Sequence, residues 1–266
     1  MISSRARLST IFLSMALLLA VATGCVQTPF PGAKPSGPVF APPSASAEIA
    51  AMKERSDFWR DFESKLRIEV NGKNASFSSR AIVLVGAPDL IRFETFTPIG
   101  MTAALFVSAP TGPFLLIPSQ NTIFTASRPE TLARRFLGEG VPVDLFCHLL
   151  TASLPPKLLP NIQSRAEGPM LRLISKGPGG YLEWQIVSGA LTRMFIGSAR
   201  FEGQVSYDPP VRLAGESTPQ TIRIASKGWS MVVRVEQMRT AREFNPSVFR
   251  LPVLPGMRRV DLDREK

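Results

Sequence analysis

The sequence predicts a mainly β protein with helices, built on a strongly curved antiparallel sheet. Apolar residues alternate with period two in about eleven short segments. Gly, Pro and Asn turn residues separate nearly all of these segments. No helix-length crossover divides the first six, which favours antiparallel neighbours. An incomplete β-barrel covered by helices satisfies this pattern.

The helices and strands can be placed along the chain because the spacing of apolar residues changes between the helical period and the strand period of two. A leading helix is expected over Ala47–Leu66, where apolar residues recur at spacings of three, four and seven. Two further helices are expected at Pro129–Phe136 and Val143–Leu150, and the proline-rich tail Phe244–Lys266 should wrap an edge without adding a central strand. The predicted strands are Leu66–Asn71, Ser76–Val85, Asp89–Thr95, Thr102–Ser108, Pro113–Ile117, Thr122–Thr125, Met170–Ser175, Tyr181–Ile186, Leu191–Ile196, Thr221–Ile224 and Ser230–Met238.

Residues 1–24 have the features of a bacterial lipoprotein export signal. Arg5 and Arg7 precede an apolar run, Ile11–Ala22, that is shorter than the ~20 residues needed to span a bilayer. Small residues then lead directly to Cys25, as in a lipobox, where the thiol is acylated and the cysteine becomes the first residue of the mature chain. The alternative is an ordinary secretory signal followed by an incidental cysteine.

The signal also predicts how the rest of the chain is organised. Residues 25–46 are the lipidated cysteine and a proline-rich linker, residues 47–243 the folded domain, and residues 244–266 a C-terminal tail. Val26 follows Cys25, whereas Asp at this position retains enterobacterial lipoproteins at the inner membrane. We therefore expect a lipid-anchored protein on the periplasmic face of the outer membrane of a Gram-negative bacterium.

The composition restricts the partners. The formal net charge of +10 falls to about +8 when Arg5 and Arg7 leave with the signal. This balance favours anionic partners such as phospholipid head groups, lipopolysaccharide or an acidic protein face. Nucleic acid is not expected, because the signal sends the chain out of the cytoplasm. With Cys25 acylated, Cys147 has no intramolecular disulfide partner.

The sequence offers little for catalysis. Cys147 and His148 are neighbours, but adjacent helix residues point about 100° apart, so they are poorly placed as nucleophile and base. His148 is the sole histidine, and the chain has no phosphate-binding Gly motif, paired CxxC or HExxH. We expect no enzymatic activity, no metal site and no cofactor.

Three segments behind the lipobox are similar to segments of the outer-membrane lipoprotein receptor family LolB. Phe124–Gly138 and Val141–Pro155 resemble its mid-chain insertion, where one helix ends in a glycine and a second ends in a Leu-Pro turn. Thr97–Phe106 is similar to its Pro-Leu-Gly loop between two strands. Pro219–Ile224, with the strand at Trp229, resembles its closing hairpin.

The resemblance covers roughly Phe58–Arg239, and the long linker and the C-terminal tail depart from it. It implies a half-barrel whose concave apolar face receives acyl chains under a helical lid. Without the resemblance, each candidate for this cavity would be read as an ordinary core residue. The acyl-cavity candidates are Phe93, Phe96, Phe106, Phe136, Phe146 and Trp184.

Pro98, Ile99, Gly100 and Met101 are the candidate membrane-insertion loop. The segment is too short and too close to glycine for a strand, and it predicts a tight turn. The resemblance places Ile99, in place of leucine, at the protruding hydrophobe that LolB needs for delivery into the membrane. The alternative is that the turn folds back and buries Ile99.

The resemblance thus implies a receptor without enzymatic activity. It would accept acylated lipoprotein cargo from a soluble periplasmic carrier and insert that cargo in the membrane that holds its own lipid anchor. The alternative is a LolB-like lipoprotein that docks a partner in envelope assembly without acyl transfer.

Overall fold

Fourteen strands form one large, curved and unclosed sheet with few helices. The computed structural model describes residues 44–72, 76–86, 90–132, 143–177, 180–198, 201–241, 244–250 and 255–264. The predicted signal, Cys25 and most of the linker lie outside these ranges. Within them, no helix is long and apolar enough to cross a bilayer.

The sheet follows the order β14-β6-β5-β4-β3-β2-β1-β13-β12-β11-β10-β9-β8-β7. Its neighbours pair in antiparallel fashion, except that β14 is parallel to β6. The strands are β1 (Phe62–Gly72), β2 (Ser76–Gly86), β3 (Leu90–Phe96), β4 (Thr102–Ser108), β5 (Phe114–Ile117), β6 (Thr122–Thr125), β7 (Ile162–Glu167), β8 (Met170–Gly177), β9 (Gly180–Val187), β10 (Ala190–Gly197), β11 (Glu202–Arg212), β12 (Thr221–Ser226), β13 (Trp229–Thr240) and β14 (Arg258–Asp261).

The predicted leading helix is correct in place but too long. Helix α1 is Ala45–Phe58, and Phe62 and Leu66 belong to β1. A spacing of four residues fits both a helix face and every second residue of a strand, so these two positions could not separate the alternatives. Ser64, which is buried between them, concealed the alternation.

The mid-chain helices are partly described. Helix α2 is Val143–Thr151, close to its predicted bounds. Residues 129–132 are helical, and the remainder of that predicted helix lies outside the described residues. The predicted count of eleven strands was too low because β7, β11 and β14 were missed.

Two apolar cores lie on opposite faces of the sheet. The larger core joins the concave face to α1 and α2 and includes Met52, Leu66 and Leu150. The smaller core lies on the outer face of β4 to β6. Alternation along these strands divides the two cores, so that Phe106 belongs to the larger one and Val107 to the smaller one.

The C-terminal tail covers this smaller core. Phe249, in a short 3₁₀ helix over Pro246–Phe249, is buried there with Phe244 and Met257 packed nearby. Strand β14 then extends the sheet beside β6, with Leu262 N–H donating to Thr125 O at 2.9 Å. The tail therefore adds an edge strand and no central strand, as predicted.

Candidate functional site

Four of the predicted cavity residues meet on the concave face. Phe93 (β3), Phe106 (β4) and Trp184 (β9) point inward from the sheet, and Phe146 comes from α2. All four are buried. The rings of Phe93 and Phe146 pack edge-to-face with centroids 5.8 Å apart, which brings α2 directly against the sheet.

The other two candidates are not part of this group. Phe96, at the end of β3, is half-buried and lies beyond an irregularity in the pairing with β4. Strand alternation places it with Arg92 and Glu94 on the outer side, and it does not belong to the larger core. Phe136 lies outside the described residues.

A buried arginine on α1 connects the two helices that cover the concave face to the rest of the fold. Arg55 is 2 % exposed. Its Nε and Nη2 donate to the carbonyl of Thr151 at the end of α2, at 3.3 and 2.8 Å. Its Nη1 donates to Arg212 O and Gly215 O at 3.3 and 2.9 Å, and Nη2 donates to Ser217 O at 2.7 Å. One side chain thus joins α1, α2 and the segment between β11 and β12.

These bonds all go to neutral backbone carbonyls, and none of them is an ion pair. Burial lowers the pKa of the Arg55 guanidinium, while its electrostatic interaction with Tyr207 raises it. Charge-assisted hydrogen bonds offset the cost of burying the charge. The hydrogen bonds of Arg55 depend on the positions of three backbone segments, so some of them break when any one of these segments moves.

Several polar groups inside the larger core have no hydrogen-bond partner among the described residues. They include Trp184 Nε1 on β9, Ser175 Oγ on β8 and Tyr207 Oη on β11. Burial raises the pKa of the Tyr207 phenol far above its usual value, with Arg55 acting in the opposite direction. The concave face is therefore apolar with isolated polar groups rather than uniformly hydrocarbon.

The end of α2 is stabilised by a short chain of polar contacts. His148 Nδ1 lies 2.8 Å from Ser153 Oγ, which lies 2.7 Å from Thr151 Oγ1. Cys147 is buried with its Sγ 3.9 Å from Val143 O. These contacts hold the turn of helix that carries the Thr151 carbonyl. The described ranges contain no cluster of three or more His, Cys, Asp or Glu side chains that could hold a metal ion.

The predicted loop is a tight turn with its apolar side chains in solvent. Gly100 N–H donates to Thr97 O at 2.9 Å, and Thr97 N–H donates to Met101 O at 2.8 Å. Gly100 has a φ of +85°, a conformation that glycine adopts without a steric penalty. Ile99 is 79 % exposed, so the alternative in which the turn buries Ile99 is wrong.

Sequence reasoning missed Arg55. The residue lies three positions after Met52 and four before Trp59, so helical spacing places it on the apolar face of α1. A cation on an apolar face is a signal for a buried, hydrogen-bonded charge.

The fold has counterparts among solved structures. The chain has a TM-score of 0.52 and 12 % identity with a LolA superfamily protein from Nitrosomonas europaea, over 79 % of this chain and 98 % of that one. It has a TM-score of 0.51 and 11 % identity with a domain proposed as an outer-membrane lipoprotein-sorting protein from Vibrio parahaemolyticus, over 77 % of this chain and 97 % of that one. This is the LolA/LolB-type fold.

Sequence similarity supports the same assignment over a shorter length. The chain is 39 % identical over 61 residues to the outer-membrane lipoprotein LolB of Azoarcus sp. (strain BH72). This match spans 23 % of the chain and 31 % of the relative, so the chain covers about a third of that protein. The chain matches no family model. The resemblance to the LolB family is confirmed.

Proposed function

We propose that this protein binds the acyl chains of lipoproteins on the concave face of its LolA/LolB-type sheet. It would accept them from a soluble periplasmic carrier and insert them in the outer membrane, to which Cys25 anchors it. The process consists of binding and release, with no covalent step. The observation that carries the proposal is an apolar concave face covered by helices that only hydrogen bonds and packing hold in place.

Burial of hydrocarbon supplies the driving force for binding. Each methylene that leaves water contributes about 0.8 kcal/mol, so a face lined by Phe93, Phe106 and Trp184 suits long acyl chains. In the described state, side chains of α1 and α2 fill this face. Acyl chains would therefore take the place of Phe146 and its neighbours, which requires α2 to move and the bonds from Arg55 to break.

The turn at Ile99 supports the release step. An exposed isoleucine beside an exposed Met101 has no packing function in the fold, and contact with a bilayer would bury both. We infer that this turn enters the membrane when cargo leaves the concave face.

Transfer of a labelled acylated lipoprotein from its periplasmic carrier tests the proposal. The lipid-anchored protein on vesicles should accept the cargo and pass it to the bilayer. Ile99→Glu should accept cargo equally but release it at least tenfold more slowly, because a carboxylate at the tip opposes insertion. Gln237→Glu, which adds a carboxylate at an exposed site on β13 away from the turn, is the matched control and should behave as wild type.

One observation favours a second function. The described inner side chains are almost all buried, so a docking module that uses only the outer surface would need no opening of the sheet. The same assay separates the two, since a docking module accepts no acylated cargo even when the fold is intact.

A further inference from the structure

One end of the curved sheet differs from the other in chemistry. This end, called the turn face below, is formed by the described residues that flank the turns β1–β2, β3–β4, β5–β6, β8–β9, β10–β11 and β12–β13. The pairing register aligns these turns: Gly72 is opposite Trp229, Ser226 is opposite Gly203, and Gly197 is opposite Tyr181.

Exposed large hydrophobic side chains concentrate on the turn face. The described residues include five of them, and four lie here: Ile99 (79 % exposed), Met101 (60 %), Phe77 (48 %) and Tyr181 (40 %). The fifth, Phe58 (39 %), lies at the opposite end, shortly before the start of β1. Between β3 and β9 the sheet order has seven interstrand steps, or roughly 30 Å at about 4.8 Å each. The apolar side chains are therefore spread along a broad rim rather than gathered in one patch.

Unpaired cations accompany them. Lys176, Lys227 and Arg258 are exposed near the ends of β8, β12 and β14 on the same face. None of them forms an ion pair with another described residue, although Glu202 is a carboxylate on this face. Further from this end, Arg239 pairs with Glu63 and Arg234 pairs with Glu69.

We propose that the turn face rests on a bilayer containing anionic phospholipid, with the Ile99 turn inserted and with Phe77 and Tyr181 at the level of the head groups along the rim that leads from this turn to β9. This inference rests on the proposed function and extends it from one turn to a surface across seven strand steps. It assigns Lys176, Lys227 and Arg258 to lipid phosphates.

The distribution of side chains points to a membrane rather than to a protein partner. A protein interface buries its apolar anchors in one contiguous, desolvated centre. Here single hydrophobic side chains stand apart among cations, which suits a fluid surface that accepts each of them separately. Aromatic side chains prefer the head-group level, and each Lys or Arg near an anionic surface contributes about fivefold in affinity.

Site-specific fluorescence quenching tests the orientation. Single substitutions Ile99→Cys, Phe77→Cys, Tyr181→Cys and Phe58→Cys are made in the full chain, and the introduced thiol carries an environment-sensitive dye. The native Cys147 is buried, so unsubstituted protein run in parallel shows how much dye it takes. The lipid-anchored protein is placed on vesicles that mix phosphatidylcholine with phosphatidylglycerol and contain a lipid with a quencher at its head group.

We expect strong quenching at positions 99, 77 and 181, and at least threefold less at position 58. Pure phosphatidylcholine, or Lys176→Gln combined with Lys227→Gln, should lower quenching at 77 and 181 by a similar factor. Arg60→Gln combined with Arg250→Gln, which removes two exposed cations away from the turn face, should leave it unchanged.

Four results would overturn the inference. Quenching at position 99 alone would agree with insertion of the Ile99 turn, as in the proposed function, but would show that the rest of the turn face does not contact the bilayer. Equal quenching at 58 would mean that the protein has no preferred orientation, and indifference to phosphatidylglycerol would exclude anionic lipid as the partner. Quenching at none of the four positions would contradict the insertion of Ile99 as well.

Discussion

At the residue scale, a substitution of Arg55 tests whether its hydrogen bonds hold α1 and α2 against the concave face. Arg55→Met keeps most of the side-chain volume but leaves four carbonyl oxygens without their donor. Each buried acceptor without a partner costs about 1–3 kcal/mol, and removal of the buried charge offsets part of the total. We expect the free energy of unfolding to fall by about 2–4 kcal/mol in denaturant titration.

The matched control is Arg60→Met, at an exposed arginine whose ion pair among the described residues is with Asp61. Surface substitutions of this kind change the free energy of unfolding by no more than about 0.5 kcal/mol. If Arg55→Met were as mild as the control, the network around the guanidinium would not hold α2 in place.

Tyr207 and Ser64 differ in whether a buried hydroxyl has a partner. Tyr207 Oη has none among the described residues, so Tyr207→Phe should leave stability unchanged or slightly higher at neutral pH. Ser64 Oγ donates to Gln237 O at 3.1 Å, so Ser64→Ala should cost about 1 kcal/mol. If both substitutions lowered the stability equally in thermal unfolding, the Tyr207 phenol would have a hydrogen-bond partner.

The same phenol gives a pH dependence of known sign. Burial raises the pKa of Tyr207 in the folded state above its unfolded value of about 10. The folded state therefore retains the proton longer, and its stability should fall as pH rises above about 10. Tyr207→Phe should reduce this fall.

Local sequence patterns predict which face Arg55 occupies but not its partners. The four carbonyls that it contacts belong to residues 96 to 162 positions away, and no periodicity spans such a distance. Ile99 is the opposite case. A Pro-Ile-Gly turn is defined by four neighbouring residues, so its geometry and exposure could be predicted from the sequence.

At the element scale, the strands that were missed share a physical cause. β4 and β6 were predicted with their observed bounds because alternation and turn residues agree there. β7 is an edge strand with most of its residues exposed, so it has no buried alternation to detect. In β11 the pair Pro209–Pro210 interrupts the pattern, and β14 is only four residues long.

The tail offers a prediction at this scale, because it covers the outer core of β4 to β6. Phe249 is buried there, and its ring packs edge-to-face on Phe244 with centroids 5.7 Å apart. Phe249→Ala should lower the free energy of unfolding by about 3 kcal/mol, as measured by denaturant titration. Arg250→Ala, at the next residue and exposed, should change it by less than about 0.5 kcal/mol. A tail that merely rests on the sheet would give equal and small effects.

At the scale of the whole molecule, the sheet and its helices have different freedom to move. The central strand β1 pairs with β13 over eleven positions and with β2 over ten, and these backbone bonds require global unfolding to break. α1 and α2 are attached by packing and by Arg55, so they can separate from the sheet while it stays intact. The unclosed edges β14 and β7 leave the half-barrel open to such a movement.

This difference predicts how loading should alter hydrogen exchange. A diacylated lipopeptide on the concave face must take the place of Phe146 and its neighbours, so amides of α2 and the Ser153 N–H, which donates to His148 O, should exchange faster when cargo is bound. Amides of β1 and β13 should keep their protection. Ile99→Glu should show the same change on loading, because the turn acts only at release. Unchanged exchange in α2 despite bound lipopeptide would place the ligand away from the concave face and favour the docking function.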